Sequence, residues 1–336
     1  MPTVFCMGEL LLRLSPAPKD GRSDKHPMLL YVGGAEANVA TALAGWGIPV
    51  TYSTVLPDNF MSKYVIQYLE QKKINTGPVL FSGNRIGLYF LETGADIKGG
   101  VVYDRDRSSF SELQTGMIDW DKVLEGADWF HFTAISPAIN QNLAAVCLEA
   151  LQVAARKKIT ISVDLNYRSK LWKYTNDPVA VMSKLVPYCD VIMGNIWSAN
   201  TLLGIPVDEQ IHDKKSKHAY IDHAVFTAGE IMKRYPRCKT VANTFRFDSK
   251  DENILYYTTM QHNDQTYVSQ EMTCAGVVDR SGSGDCFMAG LIYGFLKYPD
   301  KPAEILNYAT AAAFGKLQEH GDATDQDVLT VREELM

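Results

Sequence analysis

The sequence predicts an α/β protein with a mostly parallel central sheet, helices on both faces, and a small β-sheet inserted into that body. Three observations carry this expectation. Short β-rich runs alternate with helix-period runs through most of the chain, which implies βαβ crossovers. Two regions break the rhythm with strand-like pairs and no helix between partners. Hydrophobic residues make up 46% of 336 residues against 21% charged, enough apolar surface for a sizeable core.

The elements follow in chain order. TVFCMGE (3–9) reads as the first strand, and AEANVATALAGWG (35–47) as a small-residue helix. VTYSTVL (50–56) is a strand, followed by the helix MSKYVIQYLEQKK (61–73). ADWFHFTAI (127–135), ITISVDLN (159–166), CDVIMGN (189–195) and KTVANTF (239–245) add strands. NLAAVCLEALQVAARK (142–157) and AVFTAGEIMKRY (224–235) carry apolar residues at three-to-four spacing, the period of a half-buried helix. The irregular pairs are LLLRLSP (10–16) with MLLYVGG (28–34), and IGLYFLETG (86–94) with GGVVYDRDRS (99–108). The second pair surrounds ETGADIKGG, a hairpin signal. These pieces form the inserted sheet, placed as a lid.

Composition excludes several classes. A formal net charge of -6 with dispersed Lys and Arg argues against nucleic acid as partner. The six cysteines show no metal-ligand spacing, and most sit in apolar surroundings that suit reduced, buried thiols. MPTVFCMGELLLRLSP lacks a basic leader and carries Glu9 and Arg13 within its apolar part, unlike a secretory signal. No apolar run is long enough to span a bilayer, so a soluble cytoplasmic protein without membrane partners is expected. His131 and His320 have no partner pattern and are assigned no chemistry.

Chemistry concentrates in two stretches. In DRSGSGDCFMAGLIYGFL (279–296), Phe287, Leu291, Ile292, Phe295 and Leu296 mark a helix whose start holds Gly282, Ser283, Gly284 and Asp285. Asp285 has two readings: a helix cap, or a base beside an anion held on the free amides of the glycine turn. In YVGGAEANVATALAGWG (31–47), Gly33 and Gly34 precede a helix bearing Asn38 on its first turns. That stretch reads as a tight, closely packed connection or as a close ligand approach, and it is not a G-x-G-x-x-G dinucleotide motif. Open α/β sheets bind ligands beyond the carboxyl ends of their strands. DLNYR (164–168), Gly194–Asn195 and Asp279 fall there, the last if Val277–Val278 closes the final strand.

Taken together, G-G-A-E-A-N-V-A and D-R-S-G-S-G-D-C-F-M-A-G closely resemble the two signatures of the ribokinase-like (PfkB) carbohydrate kinases. DLNYR, the inserted sheet and A-A-A-F-G-K…H-G-D (311–322) fall in the family's order, so the resemblance spans nearly the whole chain. It implies a three-layer ribokinase-like domain over 1–336, with a lid near 10–33 and 84–110. It also implies an ATP-dependent kinase using Mg²⁺ or a similar divalent cation, with the metal ligands unassigned. Asp285 would be the general base, and the amides of Gly282, Ser283 and Gly284 the anion hole for the transferred phosphoryl group.

Within the family, the chain looks most like the 2-keto-3-deoxygluconate kinases, which phosphorylate the terminal C6 hydroxyl. The resemblance assigns the sugar acid to Gly33, Gly34, Asn38, Tyr89, Tyr103, Arg105, Arg168, Asp285 and Asp322. An arginine pair, Arg105 and Arg168, suits a carboxylate, which accepts two parallel hydrogen bonds from one guanidinium. Singly, the tyrosines read equally as strand aromatics and DRDR as a solvated charge run. The nucleotide falls to Asn166, Arg168, Asn195, Thr244, Gly282 and Gly284, with Arg246 near the phosphates.

Two departures stand out. Ser198 in N-I-W-S occupies the place of the family's acidic residue, leaving Mg²⁺ to phosphate oxygens and water. VANTFRFDSKDEN (241–253) replaces the usual glycine-containing nucleotide loop. Two other readings remain: a related kinase for another ketose or keto-sugar acid, and a sugar-acid-binding protein of the same fold with little catalysis. Apolar Leu29, Leu30, Val101 and Val102 on the lid strands predict a homodimer through the lids, alone or within a larger homo-oligomer.

Overall fold

The computed structural model describes residues 1–17, 27–92, 100–175, 177–211, 216–248 and 253–335. Among them, ten strands form the large sheet. From one edge it runs Gln265–Val268, Asn253–His262, Thr240–Asp248, Val191–Gly194, Thr160–Asp164, Trp129–Thr133, Val4–Met7, Val50–Ser53 and Ile74–Asn75, with Met272–Ala275 also paired to Asn253–His262. Pairing is parallel from Thr240–Asp248 through Ile74–Asn75 and antiparallel at the other edge.

The strand Val4–Met7 shows why helices cover both faces. Its residues alternate: Val4 and Cys6 join one apolar core, Phe5 and Met7 the other. All four are at most 1% exposed, so neither face of the strand meets water. The first core takes residues from the helices Ala35–Gly45, Ser283–Lys297 and Pro302–Lys316. The second takes them from Gln141–Arg156, Pro178–Leu185 and Ile196–Leu203. The result is the three-layer α/β architecture expected of the ribokinase-like fold. Fully burying a Phe or Leu side chain stabilises by roughly 1.5–3 kcal/mol, and Phe287, Leu291 and Ile292 each do so on the helix that follows the glycine turn.

The second sheet is small and separate, in the order Met28–Gly33, Leu11–Pro16, Gly87–Phe90 and Val102–Asp104. Its outer pairs are antiparallel and its inner pair parallel. Register puts Tyr31, Arg13, Tyr89 and Tyr103 in one cross-strand row, and Leu30, Leu14, Phe90 and Val102 in the next. Neighbouring rows point to opposite faces. The first row contributes the buried Arg13 and Tyr89, while Leu30, Phe90 and Val102 of the second are exposed. Val101 departs from the expected exposed set: it is half-buried, packed with Leu11, Tyr89 and Leu91 on the inner face. The connections at 18–26 and 93–99, including most of the expected ETGADIKGG turn, lie outside the described residues.

Two other expectations change. VTYSTVL is split: Val50–Ser53 stays in the large sheet, while Val55–Leu56 pairs with Leu80–Phe81. Val277–Val278 is not a strand end. The last strand stops at Ala275 because Gly276 takes a left-handed φ of 76°, and Val278 N instead donates to Leu317 O at 2.9 Å. Asp279 therefore begins a loop held by the C-terminal part of the chain.

Candidate active site

The glycine turn opens the helix Ser283–Lys297. Gly282 is the N-cap, with a left-handed φ of 76° and no side chain to cap the amides behind it. A Cβ there would drive into the Asp322 carbonyl oxygen. The first-turn N–H groups are thus left for an outside acceptor, and the positive end of the helix dipole favours an anion. Asp285 is the third helical residue, so it is not the N-cap. Its Oδ2 accepts a 2.7 Å hydrogen bond from Asn38 Nδ2 on the helix Ala35–Gly45. Gly34 precedes that helix with φ 125°, where a Cβ would stand 2.5 Å from Glu9 O. The two glycine motifs, 247 residues apart between Asn38 and Asp285, meet through this hydrogen bond.

Burial pushes the Asp285 carboxyl up to about 6, with the Asn38 bond and Arg168 pulling the other way. Asp164, at the end of Thr160–Asp164, is pushed up to about 8 by burial and then by the charge of Asp285. Glu36 reaches about 7 for the same first reason, opposed by the N–H and hydroxyl of Thr133, which donate to Glu36 Oε1 at 2.9 and 2.7 Å.

Two cavities meet at Asp285. The larger, about 680 Å³, is lined by Asn166, Arg168, Asn195, Thr244, Gly282, Ser283, Gly284 and Asp285, with Arg246, Arg280 and Asp164. Every residue assigned from sequence to the nucleotide is in this set. The smaller, about 150 Å³, is lined by Gly34, Asn38, Tyr89, Tyr103, Arg105, Arg168, Asp285 and Asp322, with Glu9 and Glu36. Gly33 is not in that lining but stands behind it, where a Cβ would be 3.2 Å from Asp322 and 3.3 Å from the Tyr89 hydroxyl. Both cavities share Asn166, Arg168, Ser281, Gly282 and Asp285.

The two arginines differ. Arg168 is exposed, and among the described residues it donates a 3.3 Å bond to Tyr167 O. Arg105 is buried and ion-paired with Glu9. Arg105 Nε, Glu9 Oε1 and Asn38 Oδ1 are buried atoms without a hydrogen-bond partner, and all three residues line the small cavity. Buried polar atoms of this kind call for a partner. Ser198 is taken up locally: its Oγ accepts from Asn195 N at 2.9 Å and its N donates to Asn195 Oδ1 at 2.8 Å, a capping box for the helix Ile196–Leu203.

Sequence reading passed over Glu9 and Glu36, which line the small cavity, and Arg13, which pairs with Asp279 and Asp322, and it placed Asp164 only within DLNYR at a strand end. For Glu9 and Arg13 the signal was present, since charged residues inside a strand-like apolar run are costly unless paired. His131, in contrast, is buried against Ser162 Oγ at 2.9 Å and held down to about 3 by burial, a neutral core residue. All six cysteines are free thiols.

Residues 1–231 match the family model described as pfkB family carbohydrate kinase. The chain belongs to this family. Its structure superimposes on the crystal structure of 2-dehydro-3-deoxygluconokinase from Thermotoga maritima with a TM-score of 0.88 and 34% identity, covering 99% of this chain and 97% of that one. A 2-dehydro-3-deoxygalactonokinase of Haloferax volcanii is 26% identical over 94% of this chain and 91% of its own. A 5-dehydro-2-deoxygluconokinase of Geobacillus thermodenitrificans is 26% identical over 86% and 79%. The PfkB protein described here is therefore a carbohydrate kinase, a phosphotransferase acting on a sugar hydroxyl. No helix among its described residues is long and apolar enough to cross a membrane.

Proposed function

We propose that this PfkB kinase transfers the γ-phosphoryl group of ATP to the C6 hydroxyl of 2-keto-3-deoxygluconate. The observation that carries the reading is the place of Asp285, at the junction of a sugar-sized cavity and a larger polar one. A base must reach the acceptor hydroxyl while the anion hole holds the phosphoryl group, and both needs converge on residues 282–285. Asp285 Oδ1 or Oδ2 takes the hydroxyl proton as the oxygen attacks the γ-phosphorus and the bond to the bridging oxygen breaks, with ADP as leaving group. The amides of Gly282, Ser283 and Gly284 receive the developing charge on the phosphoryl oxygens. Asn38 orients the carboxylate, and Arg168 borders both cavities.

Among the described residues no three His, Cys, Asp or Glu side chains cluster as a metal site. Mg²⁺ commonly keeps one or two carboxylates with substrate phosphates and water, and Asp164, on the wall of the larger cavity, fits that pattern. A nucleotide-borne cation would supply charge neutralisation there and favour the ionised form of Asp164.

Three features support an acidic sugar. Arg105 and Arg168 line the small cavity, the unpartnered Arg105 Nε is a donor for a carboxylate, and the Thermotoga maritima structure has the name of a sugar-acid kinase. The small sheet supplies Tyr89, Tyr103 and Arg105 or their flanks and so acts as the lid of a single domain. Its outward row of Leu30, Phe90 and Val102 is the surface on which a second copy packs. The test of substrate is ADP release with 2-keto-3-deoxygluconate, its galacto epimer, 5-dehydro-2-deoxygluconate, fructose and ribose in parallel. The highest kcat/KM is expected for 2-keto-3-deoxygluconate; a neutral sugar as best substrate overturns the reading.

A further inference from the structure

Arg13 is the largest fully buried side chain among the described residues, at 1% exposure, and it lines neither cavity. It occupies the middle of the inner row of the small sheet, between Tyr31 and Tyr89. Its Nη1 lies 2.7 Å from Asp279 Oδ2, 3.4 Å from Asp322 Oδ2 and 3.3 Å from Ser281 Oγ, and its Nε donates to Ser15 Oγ at 2.8 Å. The guanidinium carbon stands 5.0 Å from the centre of the Tyr31 ring.

These contacts bind three segments that are remote in sequence. Asp279 starts the glycine turn, and its Oδ1 accepts from Ser281 N at 2.9 Å. Its Oδ2 also accepts from Gly321 N at 3.2 Å. Asp322 accepts from the Tyr89 hydroxyl, and its carbonyl packs against Gly282. A buried guanidinium that only balanced charge would need one carboxylate. This one spreads its donors over the sheet, the turn and the C-terminal loop.

We propose that Arg13 is a positioning residue: its Nη1 holds the Asp279–Gly284 turn and Asp322 while its Nε is tied to Ser15, keeping both in register with the tyrosine row of the small sheet. One side chain thereby aligns the wall that contacts the sugar with the amides that receive the phosphoryl group. The proposal rests on the roles given above to Asp285 and the glycine turn. In-line transfer is sensitive to such alignment, since displacement by about 1 Å can cost on the order of a hundredfold in rate.

The experiment compares Arg13→Lys, Asp279→Asn, the double variant and Asp285→Asn by thermal unfolding and steady-state kinetics with the sugar acid and ATP. Lysine keeps the buried charge but carries a single nitrogen, which cannot bond Ser15 and reach Asp279 and Asp322 at once as Nε and Nη1 do. Asparagine at 279 keeps the bond from Ser281 N while losing the charge that faces Arg13 and the acceptor for Gly321 N. Each single variant is expected to fold and to lose about tenfold to a hundredfold in kcat, with little change in KM. The double variant should be no worse than the poorer single one, because both remove the same contact. Should Arg13→Lys fail to fold, Asp279→Asn decides. A folded single variant with the parent's kcat and only a lower Tm overturns the proposal, leaving Arg13 as scaffold. So do losses that multiply in the double variant. An inactive Asp285→Asn in the same series keeps the base assignment intact whatever Arg13 does, while a fully active one removes that assignment independently.

Discussion

Replacing Asp285 with Asn separates chemistry from fold, because the two should move in opposite directions. The carboxyl titrates at about 6 in the folded chain against an ordinary 3.8, and burial is the main cause. A rise of about two on the pH scale, at roughly 1.36 kcal/mol for each, corresponds to about 3 kcal/mol. The sign follows from the raised value: the folded state holds this proton more tightly than the unfolded chain. Its relative stability is complete below pH 3.8 and is lost as pH rises through about 6. At pH 8 the ionised, buried Asp285 therefore weighs against the fold, and neutral Asn does not carry that cost. Asn can also accept the bond from Asn38 Nδ2 through its own Oδ1. The variant should be more stable than the parent at pH 8, by up to about 3 kcal/mol, with the gain vanishing below pH 4. Its kcat should fall by roughly two to four orders of magnitude, the usual contribution of a general base. Urea unfolding at pH 4 and pH 8 and ADP release on the same preparations measure both quantities. Full turnover in the folded variant would refute the base assignment. Equal stabilities at pH 8 would refute the account of why this carboxyl is strained.

Other outcomes follow from the same geometry. The kcat/KM profile should show an acid limb near pH 6, where Asp285 gains its proton, and the limb should be missing from Asp285→Asn. Arg168→Ala should raise KM for the sugar acid by about one to three orders of magnitude with an unchanged Tm, since this side chain is exposed. Arg105→Ala should raise KM and also destabilise by about 3–5 kcal/mol, because it leaves Glu9 buried and unpaired; equal Tm values for the two variants would contradict the Glu9 pairing. Sedimentation should give a dimer at micromolar concentration that Val102→Lys dissociates, and a monomeric parent would remove the partner surface assigned to the small sheet.

Much of the fold was legible because it depends on local rules. Alternation of strand and helix periods is a property of ten or so residues at a time, and the run VFCM carries the decisive feature, apolar residues for both faces. The glycine turn was legible for a similar reason: a left-handed Gly282 and an uncapped helix start leave a mark in the sequence itself. Ser198 also has a local explanation, a capping box read over four residues. At Val277–Val278, where local reading went astray, a single backbone angle was responsible. Gly276 turns the chain left-handed one residue before the two valines that look like a strand end.

The charges of the site follow another rule. Arg13 and Asp322 are separated by 309 positions and Arg105 and Glu9 by 96, so their pairing exists only in the folded chain. Within LLLRLSP a lone arginine looks like a blemish in an apolar run, and its cost would exclude it from a core. Folding changes the sign of that argument by bringing Asp279 and Asp322 to it from the far end of the sequence. The same reversal applies to Glu9. A carboxylate next to the site proposed for an acidic sugar looks unfavourable, yet its ion pair holds Arg105 in a buried wall of the small cavity. On the proposed reading, a sugar acid would meet a guanidinium already held in place, with Nε still unpartnered and little left to order on binding. On that reading, specificity in this pocket depends on residues that composition alone would count against it.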